Sequence, residues 1–146
     1  MSKSGVEVIK GGKHTDERGE LLFNNSFDLT PVKRFYIIKH PDSEVVRAWQ
    51  GHQIEHKYFL CIKGTFLVAW KKIDAHNNPV NDDSAEYIIL KASDSIVLSV
   101  PPGYANGLKA IESDSEIMVL SNQKLEDCAD DQFSFDYRLW FNWDRF

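Results

Sequence analysis

Six short runs of β-branched and aromatic residues follow one another along the chain, and they constrain its fold more than any other feature. The runs cover residues 33–39, 58–62, 65–70, 86–90, 95–100 and 116–120. Runs of this length and composition are typical of β-strands. Several are too continuously apolar for burial on one side only, which favours an all-β sandwich or barrel whose strands are covered on both sides.

The segments between and after these runs give weaker signals. The stretch 71–85 is rich in Asn, Asp and Pro, which predicts a surface loop, and residues 125–131 are the one short helix candidate. His14, His40 and His76 are expected in exposed loops. Residues 133–143 are strongly aromatic and are therefore expected to be covered, by core packing or a dimer contact, with nucleobase stacking as the alternative.

Length and charge exclude several classes of protein. No repeat or linker divides the 146 residues, so a single domain over 1–146 is expected. The net charge of −5 argues against a nucleic-acid partner, because binding to phosphates needs a basic face. Cys61 and Cys128 are expected to be free thiols. No run of about 18 apolar residues and no apolar leader is present, which predicts a cytoplasmic protein without a membrane partner.

Two groups of residues carry the sequence's chemical information. The first has Gln50, His52 and Lys57 followed by a glycine, and the second has Pro101 and Gly103 followed by Asn106. This spacing resembles the two motifs of the cupins. The resemblance implies a cupin-type, RmlC-like double-stranded β-helix or jelly-roll barrel, with the two motifs facing each other.

Lys57 stands where cupins place a metal-binding glutamate. An ammonium repels a divalent cation and cannot coordinate it while protonated, so a metal-free pocket without a cofactor is expected. Glu55 and His56 leave an unorthodox metal site as a disfavoured alternative, and with it a metal-dependent cupin enzyme.

Several segments resemble the sugar-nucleotide branch of the cupins. Residues 16–23, 33–38, 47–52 and 101–104 resemble the 3,4-ketoisomerases that act on dTDP-4-keto-6-deoxyglucose, whereas Lys57 and residues 139–143 look more like the 3,5-epimerases. The resemblance implies a metal-independent isomerase or epimerase of dTDP-linked 4-keto sugars in deoxysugar and cell-surface polysaccharide biosynthesis. It also implies a homodimer. A non-catalytic sugar-nucleotide-binding relative stays open.

Both activities begin with removal of a proton next to a ketone, which needs a base near neutrality and a group that stabilises the enediolate. The resemblance implies His52 as the proton-transfer residue and His56 as a possible second base. Gln50 occupies the position of the second histidine of the ketoisomerases and of the epimerases' base, and Val119 that of the epimerases' acidic tyrosine. Neither of these two residues can perform that chemistry.

Other polar residues are candidates for holding the substrate. Guanidinium groups bind phosphate with two parallel hydrogen bonds, and lysine acts as a compact charge. The expected substrate-binding residues are Arg18, Arg34, Arg47, Gln50, Lys57, Tyr104 and Asn106. Packing is the alternative for Tyr104, and a solvated surface cation is the alternative for Arg34 and, to a lesser degree, for Arg18 and Arg47.

Overall fold

The computed structural model describes residues 5–74, 79 and 81–146, and strands dominate this part of the chain. The twelve strands of the described residues are β1 (Glu7–Ile9), β2 (Gly12–Asp16), β3 (Gly19–Phe23), β4 (Arg34–His40), β5 (Val46–His52), β6 (Lys57–Lys63), β7 (Thr65–Lys72), β8 (Glu86–Lys91), β9 (Val97–Val100), β10 (Tyr104–Ala110), β11 (Ser115–Ser121) and β12 (Phe133–Ser134). Three single 3₁₀ turns accompany them at Ala92–Asp94, Leu125–Asp127 and Trp143–Arg145.

The strands form two facing five-stranded sheets and a separate hairpin. The first sheet has the order β1-β9-β6-β11-β4, the second has the order β12-β5-β10-β7-β8, and β2 pairs with β3. All pairs are antiparallel. This arrangement confirms the predicted all-β jelly-roll barrel.

Side chains from the inner faces of both sheets form the main core. They include Phe59, Val68, Leu98, Leu108 and Ile117, each at most 3% exposed. Alternation along each strand directs every second residue to this interior. At Gly64, between β6 and β7, φ is +71° and a Cβ atom would lie 2.2 Å from Ser115 Oγ, so the tight turn requires glycine there.

The aromatic tail, residues 133–146, covers the outer face of the second sheet. Trp140 and Trp143 pack on Trp49, with ring centroids 5.3 and 5.5 Å apart. The buried Lys109 ammonium donates a hydrogen bond to the main-chain carbonyl of Trp143 at 2.9 Å. The tail therefore packs as a second core, as the core-packing interpretation predicts.

The predicted elements and the structure differ in several places. The helix predicted over 125–131 is wrong, because only the 3₁₀ turn Leu125–Asp127 forms. β7 extends two residues into the predicted loop, and residues 75–78 and 80 of that loop lie outside the described residues, as does His76. The prediction that His40 is exposed is also wrong. It ends β4, is 2% exposed and packs on Phe66 at 5.0 Å.

Both cysteines are buried free thiols, as predicted. Burial raises the pKa of Cys61 to about 11, so this thiol stays protonated at neutral pH.

Among the described residues, no helix has the length and apolar character needed to span a membrane.

Candidate active site

A cavity of about 300 Å³ lies inside the barrel, between the inner faces of the two sheets. Its lining residues are Arg34, Tyr36, Ile38, Arg47, Gln50, Glu55, Lys57, Phe59, Asn106, Leu108, Val119 and Gln132. Arg47, Gln50 and Gln132 are exposed, whereas Phe59 and Val119 are buried. The cavity therefore has a polar mouth and an apolar floor.

Strand register brings the two predicted motifs together. Asn106 on β10 pairs with Gln50 on β5, and Leu108 pairs with Arg47 after an irregularity in the ladder. Lys57 begins β6 and faces inward together with Phe59, two residues later. Five predicted substrate-binding residues consequently line one cavity: Arg34, Arg47, Gln50, Lys57 and Asn106.

Positive charge dominates the cavity. Its described lining contains the cations Arg34, Arg47 and Lys57 and a single carboxylate, Glu55. Burial lowers the pKa of the Lys57 ammonium, and Glu55 opposes this effect. An anionic ligand, or a ligand on which negative charge develops, would be stabilised here.

Glu55 is held in place by neutralising partners. Its Oε2 accepts hydrogen bonds from Arg34 Nη2 at 2.9 Å and from Ser121 Oγ at 2.5 Å. Arg34 also donates from Nε to the carbonyl of Gln123 at 3.1 Å. Because much of its donor capacity is used inside the protein, Arg34 is better suited to shaping the cavity wall than to gripping a phosphate.

His52 lies beside the cavity, on the same face of β5 as Gln50, but it is buried and is not among the residues that line the cavity. Its Nδ1 is 2.6 Å from the main-chain carbonyl of Asp131, and a carbonyl can only accept, so Nδ1 carries the hydrogen. The lone pair is then on Nε2, which is buried and has no hydrogen-bond partner among the described residues. Burial, and then the positive charge of Lys57, lower the pKa of His52. The imidazole is therefore neutral at pH 7, with its basic nitrogen unoccupied.

Asp131 fixes the segment that follows His52. Its carboxylate accepts hydrogen bonds from the backbone N–H groups of Gln53, Ile54 and Glu55 at 2.7, 3.0 and 2.8 Å. One aspartate thus orients the imidazole through its carbonyl and the connection between β5 and β6 through its side chain.

His52, Glu55 and Asp131 each bring one atom capable of binding metal within 4.8 Å of the others. The carboxylate oxygens already accept N–H or O–H donors, and the His52 nitrogen in this group carries a hydrogen. Lys57 adds a positive charge close by, as its effect on the pKa of His52 indicates. We therefore interpret the group as a hydrogen-bonded network rather than a set of metal ligands.

Two predicted residues lie away from the cavity. The His56 ring stacks on Tyr58 at 4.5 Å, and its Nε2 lies 2.7 Å from Ser99 Oγ, on the outer side of the barrel wall. Arg18 lies at the turn between β2 and β3, where its 83% exposed side chain pairs with Asp16 at 2.7 Å. Neither side chain is among the residues that line the cavity.

Tyr104 takes the packing role that was its alternative. It pairs with His52 across the β5–β10 ladder and is 5% exposed within the inner core. It is absent from the described lining of the cavity.

The sequence-based list missed three features of the site: Tyr36, Gln132 and the bonding of Glu55 and Asp131. Tyr36 could have been found, because alternation along the predicted strand 33–39 places it on the same face as Arg34. Asp131 follows no local pattern, since its bonds join residues more than 75 positions apart.

The fold is shared with solved structures of low sequence identity. A mutant of the 3,4-ketoisomerase QdtA from Thermoanaerobacterium thermosaccharolyticum, in complex with TDP-4-keto-6-deoxyglucose, is 21% identical. The alignment covers 99% of this chain and 92% of that one, with a TM-score of 0.68. The rmlC epimerase of Mycobacterium tuberculosis is 18% identical over 98% of this chain and 76% of that one, with a TM-score of 0.77.

A third similar structure is a 3,4-ketoisomerase from Helicobacter canadensis, which is 16% identical. That alignment covers 97% of this chain and 93% of the other, with a TM-score of 0.68. No curated protein matches the sequence. The family model described as WxcM-like, C-terminal (FdtA) matches residues 4–140, almost the whole chain, and the protein therefore belongs to the FdtA family of WxcM-like C-terminal domains.

Proposed function

We propose that this protein is a metal-independent 3,4-ketoisomerase of a dTDP-linked 4-keto-6-deoxy sugar. The observation that carries the proposal is the pairing, inside one barrel, of an unoccupied basic nitrogen on His52 with the cation-lined cavity. A 3,4-ketoisomerase of similar fold binds TDP-4-keto-6-deoxyglucose, which supports the choice of substrate.

The reaction proceeds through an enediolate. His52 Nε2 removes the proton from C3, next to the C4 ketone, and negative charge develops on the C4 oxygen. Lys57 and Arg47 stabilise that charge, because fixed cations in a partly dry cavity need little reorganisation during the reaction. Gln50 and Asn106 donate hydrogen bonds to sugar oxygens. The hydroxyl proton on the C3 oxygen passes to the neighbouring C4 oxygen, and the protonated His52 returns its proton to C4, which leaves a ketone at C3 and a hydroxyl at C4.

Deuterium exchange tests this proposal. The protein is incubated with dTDP-4-keto-6-deoxyglucose in heavy water, and NMR follows label at C3 and the appearance of a 3-keto product. His52→Asn should lower the rate by about 100-fold or more, the usual contribution of a general base. The exposed His14, replaced in the same way, serves as the matched control. An unchanged rate in His52→Asn would mean that the base is elsewhere.

Gln50 supports a second candidate, a non-catalytic cupin that binds the sugar nucleotide. Its amide lines the cavity but cannot accept a proton from carbon. Binding of the keto sugar without any exchange at C3 would favour this candidate over the isomerase. Label at both C3 and C5 would instead indicate the 3,5-epimerase reaction.

We also propose that the protein is a homodimer. The outer face of the first sheet is apolar across three strands, which we name the β4–β11–β6 face. Its residues are Phe35, Ile37, Leu60, Ile62 and Met118, and the strand register places Met118 between Ile37 and Leu60. Phe35 is 63% exposed and Ile37 is 41% exposed, which is unusual for a face of this size in water.

A further inference from the structure

His40 is a buried histidine inside the barrel, and the proposed reaction makes no use of it. Alternation along β4 directs Tyr36, Ile38 and His40 to the interior, and the first two of these line the cavity. His40 is the last residue of β4, so it lies beyond the cavity along this strand. Its ring packs on Phe66 of β7 and is 2% exposed, which closes the interior at this point.

Both ring nitrogens of His40 are buried, and neither has a hydrogen-bond partner among the described residues. Its neighbour across the β4–β11 ladder is Ser115, whose hydroxyl is already engaged. That hydroxyl donates to the main-chain carbonyl of Glu112 at 2.8 Å and accepts from the N–H of Thr65 at 3.0 Å. A buried imidazole without partners tolerates its neutral form far better than its charged form.

The charged groups near His40 do not compensate for a proton on it. Arg47 on β5 is positive and disfavours a second cation, whereas Asp42 on the loop after β4 is negative but exposed. Phe66 of β7 and Ser115 of β11 carry no charge. Burial, and then Arg47, lower the pKa of His40, and Asp42 opposes them. His40 is therefore neutral at pH 7.

We propose that His40 is a pH-sensitive switch, which keeps its end of β4 packed while neutral and opens it when protonated. An imidazolium carries two N–H donors, and it finds acceptors by turning out of the interior toward water. This movement would pull the end of β4 away from Ser115 on β11. Ile38 and Arg47 line the cavity beside His40, so the opening would reach the site. The inference goes beyond the proposed function and does not depend on it.

Burial fixes the direction of the pH dependence. Histidine in an unfolded chain has a pKa of ~6.5, and the folded protein binds a proton at His40 less readily. The unfolded state therefore takes up more protons below pH ~6.5. The contribution of neutral His40 to stability is complete above that pH and is lost as the pH falls. Burial lowers the pKa of His52 and His56 as well, so a variant is needed to isolate the part due to His40.

The test measures urea denaturation at pH 7 and at pH 5. His40→Leu and His40→Met fill a similar volume without a titrating group, and two variants guard against one that packs badly. His14→Leu, at an exposed histidine, is the matched control. From pH 7 to pH 5, we expect the urea midpoint of the wild type and of His14→Leu to fall further than that of both His40 variants. The difference should be about 0.5–1 M urea.

Hydrogen exchange followed by mass spectrometry locates the opening. After correction for the intrinsic exchange rate, protection of residues 37–46 should be about tenfold lower in the wild type than in His40→Leu at pH 5. At pH 7 the two proteins should be equally protected in this segment, because His40 is then neutral.

Two results would overturn the proposal. One is an equal fall of the urea midpoint in the wild type and in both His40 variants. The other is a smaller fall in the variants with identical exchange of residues 37–46 at pH 5, which would limit His40 to an effect on global stability. Neither measurement uses a substrate, so failure of the isomerase function would leave this test unaffected.

Discussion

The neighbours His56 and Lys57 show how much one position at the start of a strand decides, because His56 precedes β6 and Lys57 begins it. Lys57 faces the cavity, whereas His56 stacks on Tyr58 outside the barrel wall. The contacts of the His56 ring with Tyr58 and Ser99 place it on the side of the wall opposite to Lys57. His56 is therefore not positioned to act as a second base in the cavity of the same chain.

At the same scale, His52 makes the pH dependence of the reaction predictable. A general base works in its neutral form, so kcat/KM falls as the pH drops through its pKa. Because burial and Lys57 lower the pKa of His52, this fall should begin below pH ~6.5, the ordinary value for histidine. The profile of kcat/KM between pH 5 and pH 8 checks it. A midpoint above pH ~6.5 would contradict the assignment of His52 as the base.

Some residues of the site could be predicted from the sequence and others could not. The resemblance to the two cupin motifs predicted that Gln50, Lys57 and Asn106 face one pocket, and all three line the cavity. The side of the wall on which His56 lies depends on the residue at which β6 begins, and an apolar run does not mark that boundary. Contacts such as Asp131 with Gln53 depend on tertiary structure alone.

At the scale of elements, hydrogen bonds to Asp131 hold the connection between β5 and β6 in place. Replacing Asp131 with Asn removes one acceptor oxygen and turns an N–H donor toward three backbone N–H groups. We expect a loss of about 1–3 kcal/mol in the free energy of unfolding, the range for leaving buried polar groups unpaired. Urea denaturation measures this loss, and kcat should fall because the His52 ring is less well oriented.

Asp130 provides the control for that experiment. It is the exposed neighbour of Asp131, and Asp130→Asn changes the charge in the same way without touching the β5–β6 connection. Equal effects of the two variants would show that charge, rather than the hydrogen bonds of Asp131, stabilises the segment.

Two of the strands that escaped sequence prediction, β5 and β10, carry part of the site. β5 contains Arg47, Gln50, Gly51 and His52, and β10 contains Asn106 and Gly107. Inward-facing polar residues interrupt the apolar alternation by which strands are recognised, and glycine lowers β-propensity. The strands of the apolar wall, such as β6 and β7, lack these interruptions and were predicted.

At the scale of the whole molecule, the β4–β11–β6 face predicts the oligomeric state. Light scattering after size exclusion should give twice the 16.8 kDa mass of the chain. Phe35→Glu should give a monomer, because it would bury an unpaired charge in the interface. Leu125→Glu, at a similarly exposed leucine outside this face, should leave the dimer intact. A wild-type monomer, or a dimer that persists in Phe35→Glu, would contradict the assignment.

The net charge of the whole chain and the charge of its cavity have opposite signs. The chain carries a net charge of −5, yet three cations and one carboxylate line its cavity. An acidic exterior disfavours nucleic acid and other polyanions, whereas the interior favours a small anion that fits within the barrel.

Gln50 also has a consequence for the gene. Its side chain faces the cavity mouth from the same face of β5 as His52, with solvent beside it rather than packed neighbours. Glutamine and histidine codons differ only in their third base. A single nucleotide change would therefore set two imidazoles one residue apart at the cavity without disturbing the wall around them, so descendants of this gene can gain or lose that second imidazole in one mutational step.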